Sequence, residues 1–491
     1  MRNETRLGVI ETGAARGAST ATLSPAAARW VIGGLLVTGF GVVLALLSPR
    51  FGYAYEVGDM PVVWLTAGLV LAGLAYALCL PRLIADSAQC DPRQSQAILV
   101  CIVAAGLAAR LVLFASEPML EDDYQRYLWD GAVTASGKNP YAMSPRDARA
   151  ADDAELSQLA GEAGPVLGRI NHPDLKSVYP PVAQAAFALA YNLKPWSLSV
   201  WRAILLLFDL ATLGMIVLLL REVGRSPLWS ALYWWNPVVI KELFNSAHME
   251  AIVLPFVLAA LWLALRSRPV AAALSLAVAV GAKIWPALLL PLVLRQLGFD
   301  PRRLLAPVGA FVAVIALWVM PVWLGGMSEQ SGFVAYLSSW QTNSALFPAL
   351  ERAVSAVLGV TMVSSDMAGP LSRGMIALGL VAAALLASRK PIESPDDLMG
   401  RASLVVGALV LLSPAQFPWY TIWFAPFLAF RPWIGFLLLT ATVPLYYLDF
   451  YFLSRDRPEI FDDVVVWIIW VPVWTALAFE TLRKIRPPMP A

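Results

Sequence analysis

Long apolar runs limit the fold of this chain more than any other feature. Of its 491 residues, 59% are hydrophobic and only 14% are charged, and soluble domains of this length carry more charge. A helix of about 20 apolar residues crosses the hydrocarbon core of a bilayer because it satisfies its own backbone hydrogen bonds. The chain is therefore predicted to be an all-α polytopic membrane protein.

The runs also give a helix count. Two regions, 269–298 and 401–430, are too long for one helix and are broken at Gly281-Ala282-Lys283 and at Ser413 to Pro418, so each is predicted to form two shorter helices. Together with ten single runs they predict about 14 transmembrane helices (12 to 14). The single runs cover residues 29–48, 61–83, 95–115, 197–220, 227–244, 249–266, 304–325, 370–388, 432–453 and 462–482.

The short loops predict the orientation. Arg and Lys collect in alternate loops, which is typical of cytoplasmic loops; these loops are 221–225, 266–268, 295–303, 389–390 and 483–486. The polar stretch 116–196 then lies outside, provided that the apolar segment 179–192 does not cross. That segment is too short to span and has an amphipathic pattern, so we predict a helix lying on the outer surface.

Nearly every unusual polar residue falls on the outer side in this topology. The acidic segment, Glu121 to Gly131, begins about six residues after an apolar run, and carboxylates near hydrocarbon are costly unless they are paired or do chemistry. A channel or carrier would place its polar groups near the midplane, so the pattern suggests a binding or reaction site at the outer boundary. The outer set is Asp122, Asp123, Arg126, His248, Glu250, Lys283, Gln341, Asn343, Gln416 and Tyr420.

Motifs in these loops resemble those of the GT-C glycosyltransferases. Asp123, Arg126 and Tyr127 form an Asp-x-x-Arg-Tyr pattern, followed by Trp129-Asp130-Gly131 and by Gly137 to Tyr141. More narrowly, the chain is similar to the bacterial polyprenyl-phosphate-mannose-dependent mannosyltransferases. Other motifs follow in order within about residues 95–455: Tyr179-Pro180-Pro181, Asn236-Pro237, Ser246 to Glu250, Gly281 to Lys283, Trp340 to Ser344, Ser413-Pro414 and Pro418 to Tyr420. One departure is Glu250, where the family pattern has Asp.

The resemblance implies the domain organisation and the location. A GT-C-like catalytic membrane domain would cover 95–455, with a long outer loop at 116–196 that carries amphipathic surface helices. A cytoplasmic tail (1–28) and a transmembrane hairpin (29–94) would precede it, and the last transmembrane helix with a basic cytoplasmic tail (456–491) would follow. The expected location is the bacterial inner membrane, with the active site facing the periplasm or outside.

The implied reaction moves a sugar, mannose or another hexose, from a polyprenyl-phosphate donor to a hydroxyl of a lipid or glycan acceptor. A general base must lie within about 3 Å of that hydroxyl, and Asp123 is the first candidate. Asp122 is the reserve, because adjacent positions on a helix do not share a face. Both acids could instead cap the helix that begins there, while Glu121 and Asp130 are assigned structural roles.

Negative charge grows on the leaving phosphate, and a nearby cation would stabilise it. Lys283 is the main candidate, followed by Arg126, Arg110 and Arg202. Lys283 could instead snorkel to the surface, and Arg126 could pair with Asp130 four residues later.

Eight further side chains are predicted to bind substrate. They are Tyr127, His248, Glu250, Tyr179, Gln341, Asn343, Trp419 and Tyr420. Alternatives are a helix cap with a surface histidine at His248 and Glu250, and membrane-interface anchoring at Trp419 and Tyr420.

We expect no cofactor and no metal, with a divalent cation at the adjacent acids Asp122 and Asp123 as the alternative. The cysteines form no CxxC pair and the two histidines are not clustered, and adjacent acids alone are a poor metal signal. The expected partners are the polyprenyl-phosphate sugar, the acceptor and membrane lipids, without nucleic acid. A transporter or flippase of lipid-linked saccharides and a noncatalytic membrane scaffold remain alternative functions.

Overall fold

A computed structural model describes residues 25–87, 89–298, 300–360 and 365–485. Within these ranges the chain is helical, and its one isolated β-bridge joins Thr342 to Ala415. The all-α class predicted from the sequence is confirmed. The N-terminal tail before Pro25 and the final basic residue Arg486 lie outside the described residues.

Eight described helices are long and apolar enough to cross a membrane. A ninth crossing results if Pro237–Asn245 and Met249–Leu265, which meet at an angle of 106°, are counted as one broken span. The figure of about 14 helices therefore stays a prediction. The eight are Pro25–Phe51, Val62–Asp86, Pro92–Ala115, Leu198–Glu222, Pro301–Leu324, Ala368–Ala387, Ile434–Leu453 and Pro458–Arg483.

Both predicted breaks are confirmed. Helix Pro269–Val280 ends before Lys283, and the shorter helical stretch Trp285–Leu297 follows. Helix Pro395–Leu412 ends before Ser413, after which the chain forms the 3-10 turns Pro418–Trp423 and Ala425–Ala429. Each break places polar side chains between two apolar elements.

The run 227–244 differs from the single helix predicted there. It forms the short pieces Pro227–Ser230, Ala231–Trp234 and Pro237–Ile240, followed by the π-helical turn Lys241–Asn245. Pro237 cannot continue a preceding helix, and the Asn236 side chain accepts hydrogen bonds from the Val238 and Val239 backbone to start a new one.

The basic loops meet at one end of the helical bundle, here called the basic end. Arg266 pairs with Glu222, and Arg295 donates a hydrogen bond to the carbonyl of Arg389 at 3.2 Å. Loops that are far apart in sequence therefore share one end, which agrees with the predicted common side for these loops.

The stretch 116–196 folds into short helices with a small core of their own. They are Asp123–Ala135, Pro145–Arg149, Ala154–Glu162, Pro165–Gly168 and Pro181–Leu193. The last has 13 residues, is amphipathic as predicted, and packs against Asp123–Ala135. Gly131 lies at their closest approach, where an added Cβ would stand 2.5 Å from the carbonyl oxygen of Phe187.

Gly131→Ala is expected to destabilise the protein by about 1–3 kcal/mol, because backbone atoms of the facing helix cannot yield to the added methyl group. The measurement is thermal unfolding in detergent, followed by tryptophan fluorescence. Gly161→Ala is the matched control, since a Cβ at Gly161 meets nothing within 4 Å and Ala favours a helix. Equal destabilisation by the two variants would contradict the close packing of these helices.

Candidate active site

A cavity of about 860 Å³ opens at the end of the bundle opposite the basic end. Helix Pro395–Leu412 shows the polarity: Arg401, near its start, donates to the carbonyl of Lys390, whereas Leu409 and Ser413 at its other end line the cavity. The cavity walls come from the acidic segment, the Lys283 break, residues 333–342, helix Ala368–Ala387 and the Ser413 turn. Distant parts of the chain thus converge there, as the sequence suggested.

Asp122 and Asp123 both line the cavity. Asp122 is the N-cap residue of helix Asp123–Ala135, with φ −128° and ψ 0°, and its carboxylate does not cap the first turn. The expectation that adjacent acids point apart does not apply, because Asp122 lies outside the helix. Burial raises the pKa of Asp122 to about 7, and the neighbouring Asp123 charge adds to this rise.

Two side chains behind the cavity wall lie close to Asp123, and one of them hydrogen-bonds to it. The Tyr127 hydroxyl donates to Asp123 Oδ2 at 3.4 Å, and His248 Nδ1 lies 3.7 Å from the same oxygen. The carboxylate is 27% exposed, so it remains accessible from the cavity. Burial raises the pKa of Asp123 and the Lys283 charge opposes that rise, which leaves a carboxylate suited to accept a proton.

Lys283 projects from the break after helix Pro269–Val280. Its Nζ lies 3.1 Å from Glu250 Oε1 and 4.9 Å from the centre of the Tyr420 ring. The carboxyl end of a helix favours a cation, and the buried Glu250 fixes the direction of the side chain. Lys283 lines the cavity, so surface snorkelling does not describe its position.

A second charged cluster, formed by Glu121, Glu242 and His248, lies beside Asp123. His248 Nε2 is 3.8 Å from Glu121 Oε2 and 3.7 Å from Glu242 Oε2. His248 is fully buried, which excludes the surface-histidine alternative, and its ring stacks on Trp419 at 3.9 Å. Glu121, assigned a structural role from the sequence, instead lines the cavity, and burial raises its pKa well above the usual value.

Arg126 and Asp130 pair at 2.8 Å, four residues apart on one helix face. Asp130 Oδ2 also accepts bonds from Ser177 and from Gln184, which supports the structural role assigned to this acid. Arg126 does not line the cavity. Its assignment to the donor phosphate gives way to the alternative, pairing with Asp130.

Arg110 and Arg202 were also candidates for phosphate binding, but both point into protein. Arg110 Nε lies 2.6 Å from Asp209 in a fully buried ion pair. Arg202 donates to the carbonyls of Ser116 and Asn245 at 2.8 and 2.9 Å. These bonds fix helix ends, and neither arginine reaches the cavity.

Seven of the eight predicted substrate-binding residues lie on the cavity wall or directly behind it. Tyr179, Gln341, Trp419 and Tyr420 line the cavity, whereas Tyr127, His248 and Glu250 stand behind its wall and contact Asp123 or Lys283.

Asn343 contacts no cavity space. Its side chain donates to the carbonyl of Gln416 at 2.9 Å, and its own carbonyl accepts from Trp470. It joins two loops instead of binding substrate.

Two further side chains on the cavity wall, His172 and Arg373, were not predicted from the sequence. Arg373 donates to the carbonyl of Trp340 at 3.1 Å, while its buried Nε has no partner among the described residues. An arginine inside the apolar run 370–388 was the signal that could have revealed it.

Backbone strain concentrates around the cavity. Four non-glycine residues with positive φ border it or adjoin its wall: Leu120 (61°), His172 (51°), Ala247 (61°) and Asn343 (50°). Such conformations cost of order 1–3 kcal/mol each and are typical of functional sites. Three further residues of this kind, Trp196, Ser267 and Asp456, lie away from the cavity.

These features define a membrane protein with an acid-lined, cation-containing cavity at one end of its helical bundle. The model of the alpha-(1->6)-mannopyranosyltransferase family (MptA_B), N-terminal domain, matches residues 20–298, more than half of the chain. The protein belongs to this family. No curated protein and no solved structure matches it.

Family membership confirms the resemblance found in the sequence and makes the protein a membrane mannosyltransferase. The matched region begins at residue 20 and so includes the first two helices, Pro25–Leu47 and Val62–Asp86. It also contains the acidic segment and Lys283, which line the cavity, and His248 and Glu250, which stand behind its wall.

Proposed function

We propose that the protein transfers mannose from a polyprenyl-phosphate donor to a hydroxyl of a lipid or glycan acceptor. The observation that carries this proposal is the shared cavity of Asp123 and Lys283, a carboxylate and a cation from distant parts of the chain. Its volume of about 860 Å³ is within the range of pockets that enclose small ligands. The family description further suggests an α-(1→6) link, hence the 6-hydroxyl of a mannose as acceptor.

The proposed step is a single displacement at the anomeric carbon. The acceptor oxygen forms the new bond to that carbon while the bond to the phosphate oxygen breaks, and the phosphate leaves with the electron pair. Asp123 takes the proton of the acceptor hydroxyl. The Tyr127 hydroxyl, 3.4 Å away, holds the carboxylate in position, and direct displacement inverts the anomeric centre.

Lys283 and Arg373 are proposed to bind the donor phosphate. Both line the cavity, and fixed cations lower the energy of a leaving group on which negative charge grows. Beside them, Ile376, Leu380 and Leu409 form an apolar wall, which suits the first units of a prenyl chain. Helix Ala368–Ala387 carries Arg373 and part of this wall, and it is long and apolar enough to cross the membrane. The prenyl chain of the donor would therefore enter the cavity from the bilayer.

The active site is proposed to face the outside of the bacterial inner membrane. The cavity lies at the end of the bundle opposite the loops with Arg266, Arg295 and Arg389. Short loops rich in Arg and Lys favour the cytoplasmic side.

Lys283→Gln is expected to lower kcat/KM for the donor about 10- to 100-fold, because a hydrogen bond to a charged group contributes about 1.5–3 kcal/mol. Steady-state kinetics at varied donor concentration would measure this, and Lys283→Arg should retain part of the activity. Lys194→Gln is the control, since Lys194 is exposed and does not line the cavity. An unchanged donor dependence in Lys283→Gln would remove Lys283 from the donor site.

The overall proposal is tested with purified protein, radiolabelled polyprenyl-phosphate mannose and an α-mannoside acceptor in detergent. A labelled product that carries one additional α-(1→6)-linked mannose is expected. Movement of the intact donor across vesicle membranes, without covalent transfer, would instead favour a flippase.

A further inference from the structure

The buried cluster of Glu121, Glu242 and His248 has the composition of a metal site. We propose that it binds one divalent transition-metal cation through His248 Nε2 and one carboxylate oxygen from each glutamate. One imidazole with two carboxylates suits Mn²⁺ or Zn²⁺. This binding does not depend on the proposed transfer reaction.

The spacing of the three donor atoms fits a common cation. They lie within 4.8 Å of one another, with Nε2 at 3.8 and 3.7 Å from the two carboxylate oxygens. Bonds of about 2.0–2.2 Å to zinc place neighbouring ligand atoms roughly 3–4 Å apart. The three side chains therefore need little movement to bind a metal.

His248 provides a second, independent observation. It is fully buried, and neither ring nitrogen has a hydrogen-bond partner among the described residues. A buried polar group without a partner costs about 1–3 kcal/mol. Both ring nitrogens face acids, and a metal bound to Nε2 would give that nitrogen a partner.

The charge balance around the cluster also favours a bound cation. Glu121, Glu242, Asp122, Asp123 and Glu250 supply five carboxyl groups, whereas Lys241 and Lys283 supply two ammonium groups. Buried carboxylates in excess of cations are costly. If all five carboxyl groups are ionised, a divalent cation offsets two of the three negative charges in excess.

Lys241 is the competing partner for Glu242. Its Nζ lies 3.4 Å from Glu242 Oε1 and donates a long bond of 3.5 Å to Oε2, but it makes shorter bonds to Ser246 Oγ, at 2.8 Å, and to the Tyr447 hydroxyl. The Tyr447 hydroxyl donates to Glu242 Oε1 at 2.7 Å. The Tyr447 bond anchors Oε1, while Oε2 lies 3.7 Å from His248 Nε2 and has only the long bond from Lys241 to give up to a metal.

The proposed metal would act on Asp123 through His248. Metal-binding histidines commonly donate their second N–H to a carboxylate, and His248 Nδ1 faces Asp123 Oδ2 at 3.7 Å. His248 would then be a positioning residue that fixes the orientation of the proposed base. This role, unlike the binding itself, rests on the proposed function.

The test uses full-length protein without a histidine tag, stripped with chelator and titrated with Mn²⁺. We expect one Mn²⁺ per chain by elemental analysis, a rise in Tm with metal concentration, and ¹⁴N coupling from one imidazole in pulsed electron paramagnetic resonance spectra. The chain has two histidines, so two variants, each lacking one of them, identify the histidine that binds the metal. His248→Ala should lose the nitrogen coupling, and His172→Ala should keep it.

Measurements on the wild type alone can overturn the proposal. Less than one Mn²⁺ per chain, or a spectrum without imidazole coupling, would mean that Lys241 and bound protons, and not a metal, balance the carboxylates of the cluster. Coupling that persists in His248→Ala would place the metal elsewhere. Glu242→Gln, which keeps the shape of the side chain, should weaken Mn²⁺ binding at least tenfold while keeping the coupling at saturating metal. These measurements contain no sugar donor, so a failure to bind Mn²⁺ is distinguished from a failure to transfer mannose.

Discussion

Asp123→Asn is expected to reduce mannosyl transfer about 10²- to 10⁴-fold, the usual contribution of a general base. The amide has the shape of the carboxylate and can still accept the Tyr127 bond, so the cavity wall should be preserved. The measurement is the rate of labelled mannose transfer at saturating donor. Donor binding, measured separately, should change little, because Lys283 and Arg373, and not Asp123, are the residues proposed to bind the phosphate.

Asp122→Asn is the matched control for this prediction. Asp122 lines the same cavity, but it lacks the Tyr127 hydrogen bond and the nearby His248 ring that Asp123 has. We expect it to retain most of the activity. Full activity in Asp123→Asn, together with an inactive Asp122→Asn, would reverse the assignment of the base.

Asp209→Ala is expected to destabilise the protein by about 3–5 kcal/mol, the usual cost of removing one partner from a buried ion pair. Arg110 and Asp209 are both fully buried, and the Tyr233 hydroxyl also donates to Asp209. The substitution leaves Arg110 as an uncompensated charge between two apolar helices. Thermal unfolding in detergent measures the loss.

Asp86→Ala provides the comparison for the buried pair. Asp86 also pairs with an arginine, Arg29 at 3.0 Å, but both side chains are 54% exposed. Exposed pairs contribute about 0–1 kcal/mol, so this variant should unfold close to the wild type. If the two aspartate variants lost the same stability, burial would not explain the role of Asp209.

Arg110 also shows why part of the site could not be predicted. In the sequence it stands near the outer end of an apolar run, the expected place for a phosphate-binding cation. Its partner Asp209 is 99 residues away, and only the packing of helices Pro92–Val112 and Leu198–Glu222 brings the two together. An acid within an apolar run indicated that a partner exists, but not which one.

The acidic segment, in contrast to Arg110, could be assigned to the site from the sequence. Its position after an apolar run, and the break at Lys283, were enough to predict that both line one site, because chain direction alternates at each crossing. The position of Glu121 beside His248 was not predicted, because the neighbours Glu242 and His248 come from a distant part of the chain. Glu242 lies in a run assigned to a plain membrane helix, which Pro237 and the π-helical turn Lys241–Asn245 interrupt.

The sequence by itself determined the helical membrane class, the breaks near Lys283 and Ser413, the common end of the basic loops, and the family resemblance. These follow from hydrophobicity, chain direction and short local motifs, which act over a few residues at a time. Only the tertiary structure decided which charges pair with each other and which face the cavity. Ion pairs and hydrogen bonds act over a few ångströms, and the order of residues in a chain does not report such distances between separate helices.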